Sequence, residues 1–323
     1  MAKYRILSLD GGGIRGVLSA RLLERIAAEL PGFLDNVDLF AGTSTGSILA
    51  CGFANGLEPK QMVELYRQKG YHIFQSDILH ELGSMWGATG AKYATEPRRE
   101  GILPTFGELK LKDLKKRVLV ATFQLDSAAN RIISTAAGTE TISPASPTEP
   151  VNRNWKPKFF HNYPGPDSDG EESVAEVIMR SSAAPIYFPV YGGFVDGGVI
   201  ANNPSMCALA QALHPDHGNQ DLKDLYLLSV GTGSKQEFLT AQNSNWGLLE
   251  WGTRLINIVL GGSVGLADYQ CQQFLPGRYM RMNPKTQDSI GLDDVRDIEM
   301  LINLADSVDL TSSLSWLRAN WMK

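Results

Sequence analysis

Cysteine and histidine are scarce in this chain. Its 323 residues include three cysteines, Cys51, Cys207 and Cys271, and five histidines. The cysteines lie far apart and form no C-x-x-C pair, which argues against a disulfide framework and against a cysteine-based zinc site. This usage is typical of a reducing compartment, and we therefore predict a cytoplasmic location.

A basic excess and long apolar segments are also missing. The net charge is −5, whereas nucleic-acid-binding proteins usually carry a basic excess, so we predict no nucleic-acid partner. The N-terminus carries no signal-peptide pattern. The most apolar run, residues 255–267, contains Asn257 and is too short to span a bilayer. We expect any contact with a membrane to occur at its surface.

The N-terminal part repeats a pattern of strand, tight turn and helix. The apolar run 4–10 predicts a buried strand, a glycine loop interrupts it, and residues 17–30 carry apolar side chains at helical spacing. The same order recurs over residues 37–56 and indicates a parallel α/β sheet. Further candidate elements are strands at 117–125, 225–233 and 278–282, and a helix at 173–184.

A G-x-S-x-G pattern lies at the turn of the second repeat. Flanking glycines permit a strained turn between strand and helix that exposes the serine hydroxyl, which is the geometry of a nucleophile elbow. Turns of small residues between a strand and a helix are also common, so both interpretations stay open for this motif alone. The pattern consists of Gly42, Thr43, Ser44, Thr45 and Gly46.

Three consecutive glycines follow the first predicted strand. Gly11, Gly12 and Gly13 place a row of backbone N–H groups at a helix start, and Arg15 adds positive charge. The spacing and lysine of a Walker A loop are missing. Besides a plain turn, two interpretations remain: a phosphate cradle, or an oxyanion hole for the charge that develops when a serine attacks an ester.

A serine nucleophile needs a base, and the chain offers candidates of two kinds, histidine and aspartate. His214 and His217 are the histidines placed late enough for the Ser–acid–His order of an α/β-hydrolase, but their polar loop is typical of plain surface. Asp196 follows an apolar run, and Gly197 and Gly198 leave room around it. An aspartate held near the hydroxyl can serve as general base.

Three stretches together resemble the patatin-like phospholipase family: DGGGIRG at 10–16, GTSTG at 42–46 and DGG at 196–198. The runs 181–189 and 199–204 are similar to those of its bacterial members and of its calcium-independent phospholipase A relatives. The resemblance implies an α/β protein with a three-layer α/β/α fold and a mainly parallel central sheet.

The resemblance also implies a division of the chain and an absence of metal. We expect one globular domain over residues 1–323, with a catalytic segment at 5–205 and a remainder at 206–323 packed on the same core. Neither a metal ion nor a cofactor is implied. Ser47 stands where plant storage members often have glycine, which we interpret as tolerated in the first turn of the following helix.

Carried over residue by residue, the family's site becomes a dyad without histidine. Ser44 is the implied nucleophile and Asp196 the implied general base. The remaining implied site residues are the oxyanion loop (Gly11, Gly12, Gly13 and Arg15), the elbow (Gly42, Thr43, Thr45 and Gly46) and the aspartate loop (Gly197 and Gly198).

The implied activity is hydrolysis of fatty acyl esters of membrane phospholipids or related glycerolipids, independent of calcium, at a membrane surface. Three alternatives stay open. One is a membrane-degrading effector of bacterial antiviral defence that uses the same chemistry after activation by a cyclic nucleotide. Another is an α/β-hydrolase esterase with a histidine base, and the third is a catalytically silent storage protein. The sequence predicts no oligomeric state.

An amphipathic stretch at 245–262 carries Trp246 and Trp251. Interfacial tryptophans suit contact with a bilayer. We favour packing of a C-terminal helix against the core as the interpretation of this stretch.

Overall fold

The computed structural model describes residues 3–73, 90–127, 132–134, 140–142, 154–234, 247–286 and 290–322. Their strands are β1 (Tyr4–Leu9), β2 (Leu39–Thr43), β3 (Arg117–Gln124), β4 (Ile132–Ser134), β5 (Glu140–Ile142), β6 (Lys156–His161), β7 (Phe194–Asp196), β8 (Leu225–Val230) and β9 (Tyr279–Met282).

Seven of these strands form one sheet in the order β6-β3-β2-β1-β8-β9, with β7 also paired to β3. Strands β3, β2, β1, β8 and β9 run parallel, whereas β6 and β7 are antiparallel to β3. The carboxyl ends of the parallel strands therefore share one edge of the sheet. Ligand sites of open α/β sheets lie at this edge.

Helices connect the strands and follow them. The helices are α1 (Gly16–Glu29), α2 (Thr45–Asn55), α3 (Pro59–Ile73), α4 (Thr95–Phe106), α5 (Val174–Ser181), α6 (Gly198–Ala201), α7 (Ser205–Leu213), α8 (Leu248–Phe274), α9 (Ile298–Ser307) and α10 (Thr311–Asn320). None of these helices combines the length and apolar character needed to cross a bilayer.

The sheet is covered on both faces, which makes three layers. Successive side chains of a strand point to opposite faces. In β1, Ile6 joins one buried cluster, with residues of α7 and α8, and Leu7 joins the other, with residues of α1, α3 and α9. The expected three-layer α/β/α fold with a mainly parallel sheet is confirmed. Residues of the C-terminal helices, such as Leu301 and Leu317, belong to the second cluster.

Most predicted elements are present with shifted ends. The helix predicted at 17–30 is α1, and the strands predicted at 117–125, 225–233 and 278–282 are β3, β8 and β9. The helix predicted at 173–184 is α5 and ends earlier, at Ser181, ahead of a loop that reaches Pro185. Sequence periodicity did not reveal β6 or β7, because β7 has only three residues and β6 begins with exposed residues.

The exposure of helix α8 shows that the packing against the core that we favoured for residues 245–262 is wrong. Of the described side chains in its first half, Leu255, Ile258 and Val259 are exposed. The helix is kinked at Gly252, whose backbone is not helical. The amphipathic pattern is real, and among the described side chains of this half, that of Leu260 faces the protein and lines the cavity described below. Trp246 lies outside the described residues.

A buried ion pair fixes the end of β1 to β9. The guanidinium of Arg281 donates to both carboxylate oxygens of Asp10, with Nη1 2.9 Å from Oδ1, and also to the hydroxyl of Ser229 at 2.7 Å. Burial raises the pKa of Asp10, and Arg281 opposes that rise. Because Asp10 immediately precedes the three glycines, this pair holds the start of the glycine loop.

Removing one partner of this pair should be costly. We expect Arg281→Met to lower the free energy of unfolding by about 3–5 kcal/mol, because it leaves the Asp10 carboxylate buried without its counter-ion. The double variant Asp10→Asn/Arg281→Met should recover part of that loss. Urea unfolding measures both, with Arg296→Met as control. Arg296 belongs to an exposed pair with Asp294, so its loss should change stability by less than about 0.5 kcal/mol. Equal stability of Arg281→Met and wild type would contradict this role.

Candidate active site

Ser44 occupies a strained turn between β2 and α2. Its φ of 54° and ψ of −124° lie in a region that residues other than glycine rarely adopt. A Cβ atom at Gly42 would lie 2.2 Å from the carbonyl oxygen of Gly46, and one at Gly46 would lie 2.1 Å from that of Leu9. Both positions of the motif therefore require glycine, and the turn has the geometry of a nucleophile elbow.

Two serine side chains hold the backbone of this turn. The N–H of Ser44 donates to the hydroxyl of Ser181 at 2.9 Å, and that hydroxyl donates to the carbonyl of Ala121 at 2.7 Å. The hydroxyl of Ser47, in the first turn of α2, donates to the carbonyl of Ser44 at 2.6 Å. Ser47 is therefore a structural member of the turn, and Ser181 is a contributor that sequence reasoning did not identify.

The two threonines of the elbow point to different neighbours. Thr43 donates its hydroxyl to the carbonyl of Ala201 at 2.6 Å, which ties the end of β2 to the segment after the aspartate. The hydroxyl of Thr45 pairs with that of Tyr66 on α3. Both side chains are buried and act on the shape of the turn.

Asp196 ends β7 next to the serine. Its carboxylate accepts a hydrogen bond from the N–H of Gly198 at 2.7 Å, and the hydroxyl of Ser44 lies beside it, where it lowers the pKa of the carboxyl group. The side chain is 5% exposed, and this burial raises its pKa from the ordinary 3.8 to about 6 against the opposing effects of Ser44, Gly198 and Arg98. A Cβ atom at Gly197 would lie 2.1 Å from the carbonyl of Ala121, so the turn after the aspartate also requires glycine.

The glycine loop faces Ser44, but only two of the three backbone N–H groups that were predicted as donors are available there. The N–H of Gly11 donates to the carbonyl of Asn202 at 2.9 Å, so it is not available to an oxyanion. Gly12 and Gly13 line the cavity in front of Ser44, and within the described residues their N–H groups have no bonded acceptor. The expectation that all three glycines donate needs correction, because Gly11 connects the loop to the segment after Asp196.

The conformation of this loop depends on its lack of side chains. Gly13 has a φ of 58°, and a Cβ atom there would lie 2.1 Å from the carbonyl of Leu292. A Cβ atom at Gly12 would lie 2.2 Å from the hydroxyl of Thr232. Arg15 follows at the cavity wall and donates through Nε to the carbonyl of Gly12 at 3.3 Å.

A cavity of about 580 Å³ opens in front of Ser44 and Asp196. Its volume falls within the usual range of small-molecule sites. The glycine loop and Arg15 contribute polar groups at one side. Apolar side chains from several helices and loops line much of the remaining wall, among them Ile48, Ile102, Phe188, Leu260 and Val264.

Arg98 is a buried cation of this cavity that sequence reasoning missed. Its guanidinium carbon lies 4.5 Å from the ring centre of Phe188, and Nη1 donates to the carbonyl of Ser182. The charge lowers the pKa of Asp196 and so favours its ionised form. No local pattern in the stretch around Arg98 distinguishes it from a surface arginine of a polar helix.

No described histidine lines the cavity. His214 is exposed beyond the end of α7, and His217 bonds to Asp167 at the other end of the sheet. His80 lies outside the described residues. The arrangement therefore gives no support to the interpretation of His214 or His217 as the base for Ser44.

The fold and this site together indicate the class of protein to which the chain belongs. A family model described as "Patatin-like phospholipase" matches residues 7–209, and the chain belongs to that family. The curated relative "Protein teg" of Priestia megaterium is 27% identical over 99% of this chain and 100% of its own length.

Two further relatives have names that describe an activity. A "cGAMP-activated phospholipase" of Vibrio cholerae is 30% identical and covers 79% of this chain and 72% of its own. The "85/88 kDa calcium-independent phospholipase A2" of Rattus norvegicus is 28% identical and covers 92% of this chain and 37% of its own. Membership in the family supports lipid hydrolase activity for this chain.

The raised pKa of Asp196 predicts that the wild-type site reduces stability at neutral pH. The folded-state pKa of about 6 lies above the ordinary 3.8, so folding favours the protonated carboxyl group of Asp196. The stabilisation from this proton is complete below about pH 4 and is lost as the pH rises through 6. Asp196→Asn should therefore stabilise the fold at pH 8 by up to about 3 kcal/mol and have little effect at pH 4. Melting temperatures of both proteins across this range measure the difference. A variant that melts at or below the wild-type temperature at pH 8 would contradict the prediction.

Proposed function

We propose that the chain hydrolyses fatty acyl esters of phospholipids or related glycerolipids through a dyad of Ser44 and Asp196. The observation that carries this proposal is that the strained serine and a buried carboxylate lie side by side on the wall of one cavity that is lined largely by apolar side chains. The pKa of about 6 suits a general base, because the carboxylate is ionised near neutral pH and still basic enough to take a proton.

The first half of the reaction makes an acyl-enzyme. Asp196 takes the hydroxyl proton of Ser44, whose oxygen forms a bond to the carbonyl carbon of the ester. The N–H groups of Gly12 and Gly13 stabilise the negative charge that develops on the carbonyl oxygen. The ester C–O bond then breaks, and the departing alcohol takes the proton from Asp196.

The second half releases the fatty acid. A water molecule gives a proton to Asp196 and bonds through its oxygen to the acyl carbon. The bond to Ser44 breaks, the serine oxygen recovers the proton from Asp196, and the fatty acid leaves as its carboxylate after losing its own proton to water. Each step uses groups of the chain and water, in line with the proposed independence from calcium.

The exposed face of α8 supports action at a membrane surface. Leu255, Ile258, Val259 and Leu266 recur at helical spacing, and Leu255 and Leu266 are 51% and 58% exposed. Exposed apolar stripes of this kind favour insertion into the headgroup region. On the side of the same helix that faces the protein, Leu260 and Val264 line the cavity, so a lipid entering along α8 would reach Ser44 directly.

Activation by a cyclic nucleotide is a second candidate function. It is supported by the 30% identity to the cGAMP-activated phospholipase of Vibrio cholerae. In that case the chemistry at Ser44 is the same, and fatty-acid release rises on addition of the nucleotide. The cytoplasmic location remains a prediction from composition.

The dyad is tested by fatty-acid release from phospholipid vesicles in the presence of a calcium chelator. We expect Ser44→Ala and Asp196→Asn each to lower kcat/KM by about 10⁴-fold or more, because the nucleophile or its base is lost. Wild-type activity should fall about tenfold per pH unit below about 6, as Asp196 becomes protonated.

The controls are the double variant His214→Ala/His217→Ala, which should keep wild-type activity, and parallel assays with and without cGAMP. Dependence on cGAMP would support the second candidate function. Persistent release by folded Asp196→Asn, or loss of release in the histidine variant alone, would contradict the dyad.

The membrane face of α8 is tested by Leu255→Ser/Ile258→Ser. This variant should bind vesicles at least about tenfold more weakly, because two apolar side chains no longer enter the lipid. Hydrolysis of a water-soluble, short-chain ester should stay unchanged. Met300→Ser removes an exposed apolar side chain from α9 and is the matched control. Equal vesicle binding by all three proteins would contradict a role for α8.

A further inference from the structure

Three side chains capable of binding a metal meet far from the cavity. His161 is the last residue of β6, Asp167 lies in the following loop, and His217 follows α7. His161 pairs with Leu119 near the start of β3, whereas Ser44 follows the carboxyl end of β2. The cluster therefore lies toward the opposite edge of the sheet from the candidate active site.

The ligand atoms of these three residues converge. Nε2 of His217 lies 3.0 Å from Oδ2 and 3.2 Å from Oδ1 of Asp167. Nε2 of His161 lies 3.7 Å from the same Oδ2. One such atom from each residue lies within 4.8 Å of the other two, and the two imidazole ring centres are 4.8 Å apart.

The cluster combines buried nitrogen ligands with an open oxygen ligand. The side chains of His161 and His217 are 6% and 8% exposed, whereas that of Asp167 is 58% exposed. An ion can therefore reach the site from solvent past Asp167 and meet two imidazoles already held in place.

A simple ion pair does not explain why all three side chains lie together. The hydrogen bond between His217 and Asp167 accounts for two of them. The ring of His161 makes no hydrogen bond to the described residues, since 3.7 Å is too long and its Nδ1 is buried without a partner. Buried polar groups are nearly always satisfied, so a ring without partners that faces a carboxylate needs an explanation.

We propose that His161, Asp167 and His217 bind a divalent transition metal ion, of which Zn²⁺ fits best. Two imidazole nitrogens and one carboxylate oxygen are a usual set for Zn²⁺, with water as the fourth ligand, and nitrogen ligands disfavour Ca²⁺ and Mg²⁺. Bound there, the ion would join the end of β6 to the loop between α7 and β8. The ion would lie toward the opposite edge of the sheet from Ser44, and the proposed chemistry there stays independent of it.

The test is titration of the untagged, chelator-treated chain with Zn²⁺ alone, followed by calorimetry and by melting temperature. We expect one ion per chain and a rise in melting temperature. Co²⁺ in place of Zn²⁺ should give visible absorption bands that report the ligand geometry. Ester hydrolysis should be the same with and without the ion, so the result does not depend on the proposed function.

The variants are His161→Gln, Asp167→Asn and His217→Gln, with His72→Gln as the matched control. His72 pairs with Glu100 on the surface and belongs to no such cluster in the described part of the chain. Each of the three should abolish binding at the stoichiometric site, and the control should keep it. Because Asp167 is exposed, Asp167→Asn should fold even if a buried histidine variant does not. Failure of the wild type to bind Zn²⁺, or unchanged binding in Asp167→Asn, would overturn the proposal.

Discussion

The placement of the Ser44 hydroxyl beside the buried Asp196 carboxylate sets demands on the elements around it. A carboxylate removed from water needs donors and a nearby positive charge, and here the N–H of Gly198 and the guanidinium of Arg98 supply them. Ser44 lies beside the carboxylate in a strained backbone conformation, which Ser181 and Ser47 hold by hydrogen bonds. Much of the polar structure at the carboxyl edge of the sheet serves this one contact.

The motifs that carry this site could be predicted from the sequence because they are local. Positions 42 and 46 have no room for a side chain in the tight turn between strand and helix, so both require glycine. Five consecutive residues are enough to predict such a turn. The repeated order of strand, turn and helix likewise indicates a parallel sheet. The resemblance of three separate motifs to one family added the partnership between Ser44 and Asp196, which no single stretch encodes.

Contacts between distant segments could not be predicted in the same way. The N–H of Gly11 is taken by the carbonyl of Asn202, and only the fold brings these two residues together. Arg98 and Arg281 look like ordinary surface arginines in the sequence, yet both are largely buried. The exposed face of α8 was misjudged because amphipathicity does not reveal whether the apolar side meets the core or the surroundings.

The two edges of the sheet have different chemistry. At the carboxyl edge, an apolar cavity surrounds a serine and a carboxylate, and the outer face of α8 continues this apolar surface to the outside. Toward the opposite edge, two buried imidazoles face a carboxylate that is open to solvent. This separation places the proposed metal site away from the proposed catalytic residues.

The central claim is that Asp196 activates Ser44, and covalent labelling by a fluorophosphonate tests it most directly. The rate of labelling should be measured against pH for wild type and Asp196→Asn, with the modified residue located by peptide mass spectrometry. We expect labelling at Ser44 alone, at a rate that rises with pH around a midpoint of about 6 and that drops sharply in Asp196→Asn. Labelling at another residue, or an equal rate in the two proteins, would contradict it.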